Sequence, residues 1–88
     1  MTADPAQRIA LYQFGSCPYC VRVMDAARRL GIDLPLRDVQ RDPERLEELV
    51  AATGRRMVPC LRIEEEGGDV RWMHESSDII AYLEQHFG

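Results

Sequence analysis

The chain has 88 residues and a formal net charge of −4, and 45% of its residues are hydrophobic and 30% charged. This length supports one hydrophobic core, so we expect a single domain over residues 1–88, with residues 1–7 as a loosely ordered lead-in. The acidic balance argues against nucleic acid as a partner, because phosphate binding requires a basic surface.

The expected location follows from what the chain lacks and from its cysteines. No apolar run is long enough to cross a membrane, and the N-terminus has no signal-peptide core. Three cysteines, an odd number, fit a secreted disulfide framework poorly. They fit catalytic or metal chemistry in a reducing compartment better. We therefore expect a cytoplasmic monomer without membrane contact.

The first half of the chain predicts a strand, a helix and a second strand. The run from Ile9 to Tyr12 is apolar and typical of a short buried strand. From Cys20 onward apolar residues recur at helical spacing, and Gly31 provides a left-handed stop. Residues 34–39 fit a strand that Pro35 places at a sheet edge. The helical apolar positions are Val23, Ala26, Ala27 and Leu30.

The second half predicts a helix, a hairpin and a last helix. Asp42 is a typical N-cap, and the helix it opens ends at Thr53-Gly54. The apolar runs 58–63 and 70–73 are joined by an acidic, glycine-containing turn and predict a hairpin. Ser76 is then expected to cap a helix with a buried stripe formed by Ile79, Ile80, Leu83 and Phe87.

These elements predict an α/β fold with the order β-α-β-α-β-β-α. The first half forms a right-handed unit with parallel strands, and the second half adds an antiparallel hairpin and a covering helix. We therefore expect a four-stranded mixed sheet with three helices on its two faces.

The segment Cys17-Pro18-Tyr19-Cys20 stands where the first strand gives way to the first helix. Free N–H groups and the positive end of the helix dipole favour a thiolate at Cys17, the expected nucleophile. Cys20 lies one turn further on and is expected to face the core. There it either resolves disulfides made by Cys17 or serves as a small core residue.

With this element order, Cys17-Pro18-Tyr19-Cys20 resembles the active site of glutaredoxins, members of the thioredoxin superfamily. Met57-Val58-Pro59 resembles the cis-proline motif at the start of the third strand in that family. Residues 75–83 resemble the Glu-Ser signature of glutathione-transferase N-terminal domains and transferase-like glutaredoxins. The resemblance spans about residues 9–87 and implies a thioredoxin-like fold.

The resemblance also implies a glutathione site. Tyr19 would line the groove, and the backbone of Val58, before a cis Pro59, would pair with the cysteinyl part of glutathione. Glu75 and Ser76 would take the γ-glutamyl end at a helix N-terminus. Each has a simpler explanation: an exposed tyrosine, a proline at a strand edge, and helix capping.

Two departures from the family pattern affect this site. Many glutaredoxins carry a lysine three residues before the nucleophile, where this chain has Phe14. Many also carry Gly-Gly before the last helix, where this chain has Met73-His74. The resemblance therefore leaves the glycine carboxylate of glutathione without its usual partner. Arg55 or Arg56 is the expected substitute.

The third cysteine and the histidines are expected to have no catalytic role. Cys60 follows Pro59 and is expected to be a core thiol, although regulatory oxidation is an alternative. A zinc site from Cys17, Cys20, Cys60 and His74 would lack paired ligand loops, so we expect no metal. His74 and His86 are expected at the surface.

The resemblance implies a glutathione-dependent thiol-disulfide oxidoreductase that reduces glutathionylated proteins and small disulfides. Glutathione is the expected co-substrate and electron source, regenerated by an NADPH-dependent reductase, and the role is electron transport in cell redox homeostasis. Three alternatives stay open: a glutathione-liganded iron–sulfur carrier, a transferase-like glutathione-binding domain, and a redoxin reduced by a thioredoxin-type reductase.

Overall fold

The computed structural model describes residues 8–65 and 67–87, and the predicted lead-in over residues 1–7 lies outside them. Its elements follow the predicted order and confirm the thioredoxin-like fold. They are β1 (Ile9–Gln13), α1 (Pro18–Arg29), β2 (Leu36–Asp38), α2 (Pro43–Thr53), β3 (Cys60–Glu64), β4 (Val70–Met73) and α3 (Ser76–Phe87).

The four strands form one mixed sheet in the order β2-β1-β3-β4. β1 runs parallel to β2 and antiparallel to β3, and β4 pairs antiparallel with β3. The prediction that the second strand lies at an edge is confirmed. In the β1–β3 ladder Tyr12 stands opposite Cys60. The residues that follow Tyr12 and those that precede Cys60 therefore leave the sheet at the same end.

Each face of the sheet has its own apolar cluster, because successive strand residues point to opposite faces. On one face Leu61 and Ile63 pack with apolar residues of α1 and α3. On the other face Cys60 packs with Tyr12, Val39 and Leu49 beneath α2. The predicted stripe of α3 is buried at Ile79 and Leu83 and half-buried at Ile80 and Phe87.

The predicted end of α1 and both predicted ends of α2 are confirmed by their caps, whereas α1 begins at Pro18, before the predicted stretch from Cys20. The Asp42 carboxylate accepts a hydrogen bond from the Glu44 amide at 3.1 Å. Gly54 ends α2 with a left-handed φ of 74°, and its amide donates to the Val50 carbonyl at 2.8 Å. Gly31 has a φ of 72° just beyond α1. These two glycines adopt a conformation that other residues enter only at a cost.

Several boundaries differ from the prediction, and β2 is shorter than the predicted run of residues 34–39. β3 begins at Cys60 rather than at residue 58, because Pro59 has no N–H to donate to the ladder. At α3 the Ile79 amide donates to the Glu75 carbonyl at 2.9 Å. Glu75 therefore stands at the cap position, and Ser76 is the first helical residue rather than the cap. No helix in residues 8–65 and 67–87 is both long and apolar enough to cross a membrane.

Leu61→Ala tests the central position of β3 in the core. Leu61 is fully buried, so truncation should lower the free energy of unfolding by about 2–5 kcal/mol. Leu36→Ala is the matched control, because Leu36 is 51% exposed and its truncation should cost less than about 0.5 kcal/mol. Urea denaturation at equilibrium measures both. Equal losses in the two variants would contradict the assigned core.

Candidate active site

The junction between β1 and α1 positions the first cysteine of the motif. Cys17 occupies the N-cap of α1 in an extended conformation, and its carbonyl accepts from the Val21 amide at 3.0 Å. Pro18, the first helical residue, has no N–H of its own to satisfy. No side chain caps this helix end. Its remaining N–H groups and positive dipole end are therefore available to a negative charge beside Cys17.

Burial separates the roles open to the two thiols. Both are free, and Cys17 is 6% exposed whereas Cys20 is fully buried. Burial is the largest of the causes that raise the pKa of Cys20 to about 12, a hydrogen bond and charge repulsion from Cys17 act in the same direction, and a backbone hydrogen bond with Phe14 opposes them. Cys20 therefore stays protonated at neutral pH, and only Cys17 has access to a partner outside the protein.

A cleft of about 350 Å³ gathers three distant segments of the chain. Its volume falls in the lower range for small-molecule sites. The five residues predicted to contact glutathione all line it, together with two that were not predicted. The lining residues are Tyr19 of α1, Met57, Val58 and Pro59 before β3, His74 and Glu75 between β4 and α3, and Ser76 at the start of α3.

The walls of the cleft differ in what they offer a ligand. Tyr19 is 58% exposed and presents its ring at the rim. The Val58–Pro59 peptide bond is cis, as the resemblance implies. Among the described residues, none forms a backbone hydrogen bond with Val58. Its N–H and C=O are therefore free for an extended peptide. Opposite, the start of α3 offers backbone N–H groups and the Glu75 carboxylate.

The expected arginine substitutes do not line this cleft. Arg55 and Arg56 are exposed, and neither lines it within the described part of the chain. Arg56 lines a different groove, beside α2. Phe14 packs against the apolar cluster under α2, so its position brings no charge to the site. A role for one of the two arginines at the glycine carboxylate of glutathione therefore stays a prediction.

Cys60 and His74 form a contact that the sequence did not predict. Cys60 is fully buried, and burial raises its pKa to about 11. Its Sγ lies 3.9 Å from His74 Nε2. His74 Nδ1 is buried and has no hydrogen-bond partner among the described residues. The expectation of a surface His74 is therefore wrong, whereas His86 is exposed as expected.

Met57 and His74 were not predicted to contact a ligand. The signals for them were the place of Met57 in the cis-proline motif and that of His74 where many glutaredoxins have glycine. His, Cys, Asp and Glu side chains of residues 8–65 and 67–87 do not gather in groups of three or more suited to a metal ion.

Comparisons with known proteins show the family and the fold of the chain. A family model for glutaredoxin matches residues 9–67. A glutaredoxin from Brucella melitensis shares the fold at 23% identity, with a TM-score of 0.56 over 88% of this chain and 77% of that one. No curated protein sequence matches the chain.

Glutathione transferases are also similar in structure. A trimeric glutathione transferase from Leishmania superposes with a TM-score of 0.73 at 29% identity, over 91% of this chain and 18% of that one. A glutathione transferase from Bombyx mori gives 0.73 at 28% identity, over 98% of this chain and 39% of its own. The chain thus spans less than half the length of these transferases.

Fold and site together define a thioredoxin-fold domain with a Cys-x-x-Cys pair at the start of α1 and a cis-proline wall beside it. Within that class, the chain belongs to the glutaredoxin family, since the family model covers more than half of its residues.

Alkylation tests the inequality of the three thiols. At pH 8, iodoacetamide should modify Cys17 in the native protein and spare Cys20 and Cys60, because the thiolate is the reactive form. Raising the pH to 9 should not recruit the other two, whose pKa values of about 12 and about 11 lie well above it. Peptide mass mapping measures the sites, with the urea-unfolded protein, modified at all three, as the control. Equal labelling of Cys17 and Cys20 would contradict the burial argument.

Proposed function

We propose that the protein is a glutathione-dependent thiol-disulfide oxidoreductase that reduces glutathionylated proteins and small disulfides. The observation that carries the proposal is the cleft, whose walls contain Tyr19, the Val58-Pro59 pair and the Glu75-Ser76 pair. Membership of the glutaredoxin family supports the same chemistry. The three free thiols suit a reducing compartment, the cytoplasm.

Glutathione fits the cleft as an extended tripeptide. The free N–H groups at the start of α3 suit its γ-glutamyl carboxylate, and the Glu75 carboxylate accepts from its ammonium group. The cysteinyl backbone pairs with the N–H and C=O of Val58, as a strand pairs with a sheet edge. The tyrosine ring covers the sulfur end, two residues from Cys17.

The reaction proceeds through a mixed disulfide on Cys17. The Cys17 thiolate attacks the glutathione sulfur of a protein–glutathione disulfide, a Cys17–glutathione disulfide forms, and the protein thiolate leaves and takes a proton. The thiolate of a second glutathione then attacks the glutathione sulfur of that intermediate. Glutathione disulfide is released and Cys17 returns to the thiolate. The net result is one protein thiol restored and one molecule of glutathione disulfide formed.

Cys20 provides a second route for substrates that form a mixed disulfide with Cys17 through their own sulfur. Its thiol loses a proton and attacks Cys17, which closes a Cys17–Cys20 disulfide and releases the substrate thiol. Burial is the largest of the causes that raise the pKa of Cys20 to about 12, so little of this thiol is ionised at neutral pH, whereas glutathione in solution reaches the intermediate freely. Glutathione is therefore the main resolving thiol.

A transferase-type glutathione-binding domain is the second candidate. The Glu75-Ser76 pair and the superposition on the Leishmania and Bombyx mori enzymes favour it. A domain of this kind would bind glutathione without reducing disulfides. Turnover of a glutathionylated substrate therefore distinguishes the two candidates.

Serine substitution of each active-site cysteine tests the monothiol route. Cys17→Ser should lower the turnover of a glutathionylated peptide by about a thousandfold or more, because it removes the nucleophile. Cys20→Ser should retain much of the activity, since glutathione resolves the intermediate. A coupled assay with glutathione and its reductase measures both variants. Wild-type turnover in Cys17→Ser would overturn the mechanism, and equal loss in both would indicate a strictly dithiol route.

The electron donor separates this function from that of a thioredoxin-type redoxin. Turnover of a small disulfide should proceed with glutathione, glutathione reductase and NADPH, and should be absent with a thioredoxin reductase and NADPH alone. NADPH consumption measures both, with enzyme-free mixtures as controls. Turnover supported only by the thioredoxin reductase would assign the protein to the other electron pathway.

A further inference from the structure

A groove of about 590 Å³ lies away from the cleft, beside α1 and α3. Four residues of α1 and one of α3 line it, and Ile80 is its apolar member. The polar members are Arg22, Asp25, Arg28 and Arg29. We call this feature the basic groove, since it holds three arginines against a single aspartate.

The charge in the basic groove is only partly neutralised. Arg28 pairs with Asp25 at 3.2 Å, and both side chains are largely exposed. Arg22 and Arg29 are also exposed, and neither forms an ion pair with another described residue. The groove therefore presents two guanidinium groups that have planar, bidentate hydrogen-bonding capacity for carboxylates.

The groove contrasts in sign with the rest of the molecule. The protein as a whole carries a net charge of −4, so the surface outside the groove is more acidic still. A local positive patch on an acidic surface attracts an acidic segment to one place and repels it elsewhere. Charge complementarity therefore favours an acidic peptide segment as the occupant of the groove.

The groove lies along the helix that carries the nucleophile. Arg22 stands five residues beyond Cys17 and Arg29 stands twelve, which at about 1.5 Å per residue places them about 8 and 18 Å along the helix axis. An extended peptide advances about 3.3 Å per residue. In a substrate bonded to Cys17, the nearest residue that reaches Arg22 is therefore the third from the substrate cysteine. The nearest residue that reaches Arg29 is the sixth.

We propose that the basic groove is a docking surface for an acidic segment of the protein substrate, lying three to seven residues from the cysteine under reduction. The proposal rests on the disulfide-reductase function proposed above and names its substrate class. The groove selects substrates by the charge that flanks the cysteine, whereas the cleft holds the glutathione part.

Paired glutathionylated peptides test this preference. One peptide carries glutamates three to seven residues from its cysteine and the other carries glutamines there, each made with the flank on either side of the cysteine. The wild-type protein should show a KM about fivefold lower for the glutamate peptide, as expected for two exposed ion pairs. The difference should disappear at about 0.5 M salt, because exposed charges are then screened.

Charge reversal locates the effect on the groove. The double variant Arg22→Glu/Arg29→Glu should lose the preference for the glutamate peptide. The control Arg8→Glu/Arg41→Glu changes the net charge equally at exposed positions outside the groove and should keep the preference. Circular dichroism verifies that both variants are folded.

A small neutral disulfide distinguishes failure of the docking surface from failure of the proposed function. Both double variants should reduce it at the wild-type rate, since it does not reach the groove. If the wild-type protein reduces neither this disulfide nor the peptides, the proposed function itself fails. If it reduces all of them without a preference for glutamate, or if the groove variant keeps the preference, the docking surface is refuted and the function stands.

Discussion

The pairing of β1 with β3 is the constraint on which the site depends. With Tyr12 opposite Cys60, the chain leaving β1 toward Cys17 and the chain arriving through Val58 and Pro59 meet at one end of the sheet. A shift of one residue in this pairing would turn every side chain of β3 to the opposite face. The buried pairs on both faces oppose such a shift, so the core fixes the place where the cleft forms.

The helix that follows β1 makes the two active-site cysteines unequal. Cys17 is the N-cap, where the chain is still extended and the first amides are unpaired. Cys20 is already within the helix, on the face that packs into the protein. The change from extended to helical backbone at Cys17 therefore produces one thiol that can reach a partner and one that is buried. This asymmetry follows from helix geometry and needs no further catalytic side chain.

The sequence predicted the fold well because its strongest signals are local. Asp42-Pro43 and Gly54 mark the ends of α2 through backbone chemistry that acts within a few residues, and the structure confirms both. The predicted start of β3 was two residues early, because apolar patterning does not show where ladder pairing begins, here after Pro59, which has no N–H to donate. Likewise, the cap of α3 proved to be Glu75, because capping preference did not reveal which carbonyl takes the first helical bond.

Only those residues of the candidate site that belong to a recognised motif could be predicted from the sequence. The five motif residues that line the cleft come from three segments, and the resemblance connected them before the structure did. The predicted position of His74 was wrong, because its contact with Cys60 depends on the path of the chain between β4 and α3. Arg55 and Arg56 do not line the cleft, since closeness in sequence to Pro59 does not fix a side chain there.

Positive charge is distributed unequally between the cleft and the basic groove of this family member. No lysine or arginine of the described residues lines the cleft, so the helix end at α3 is the source of positive potential for a bound carboxylate there. A helix end contributes less than a buried, paired guanidinium, about 0.3–1 kcal/mol at an exposed site. Under the proposed function, glutathione would therefore be held mainly by backbone pairing at Val58 and by burial of its sulfur end. The arginines of α1 lie in the basic groove instead, where the docking proposal has them act on the protein part of a mixed disulfide. The two proposals together assign binding of the small thiol and charge selection of its protein partner to two separate surfaces, joined through the helix that Cys17 begins.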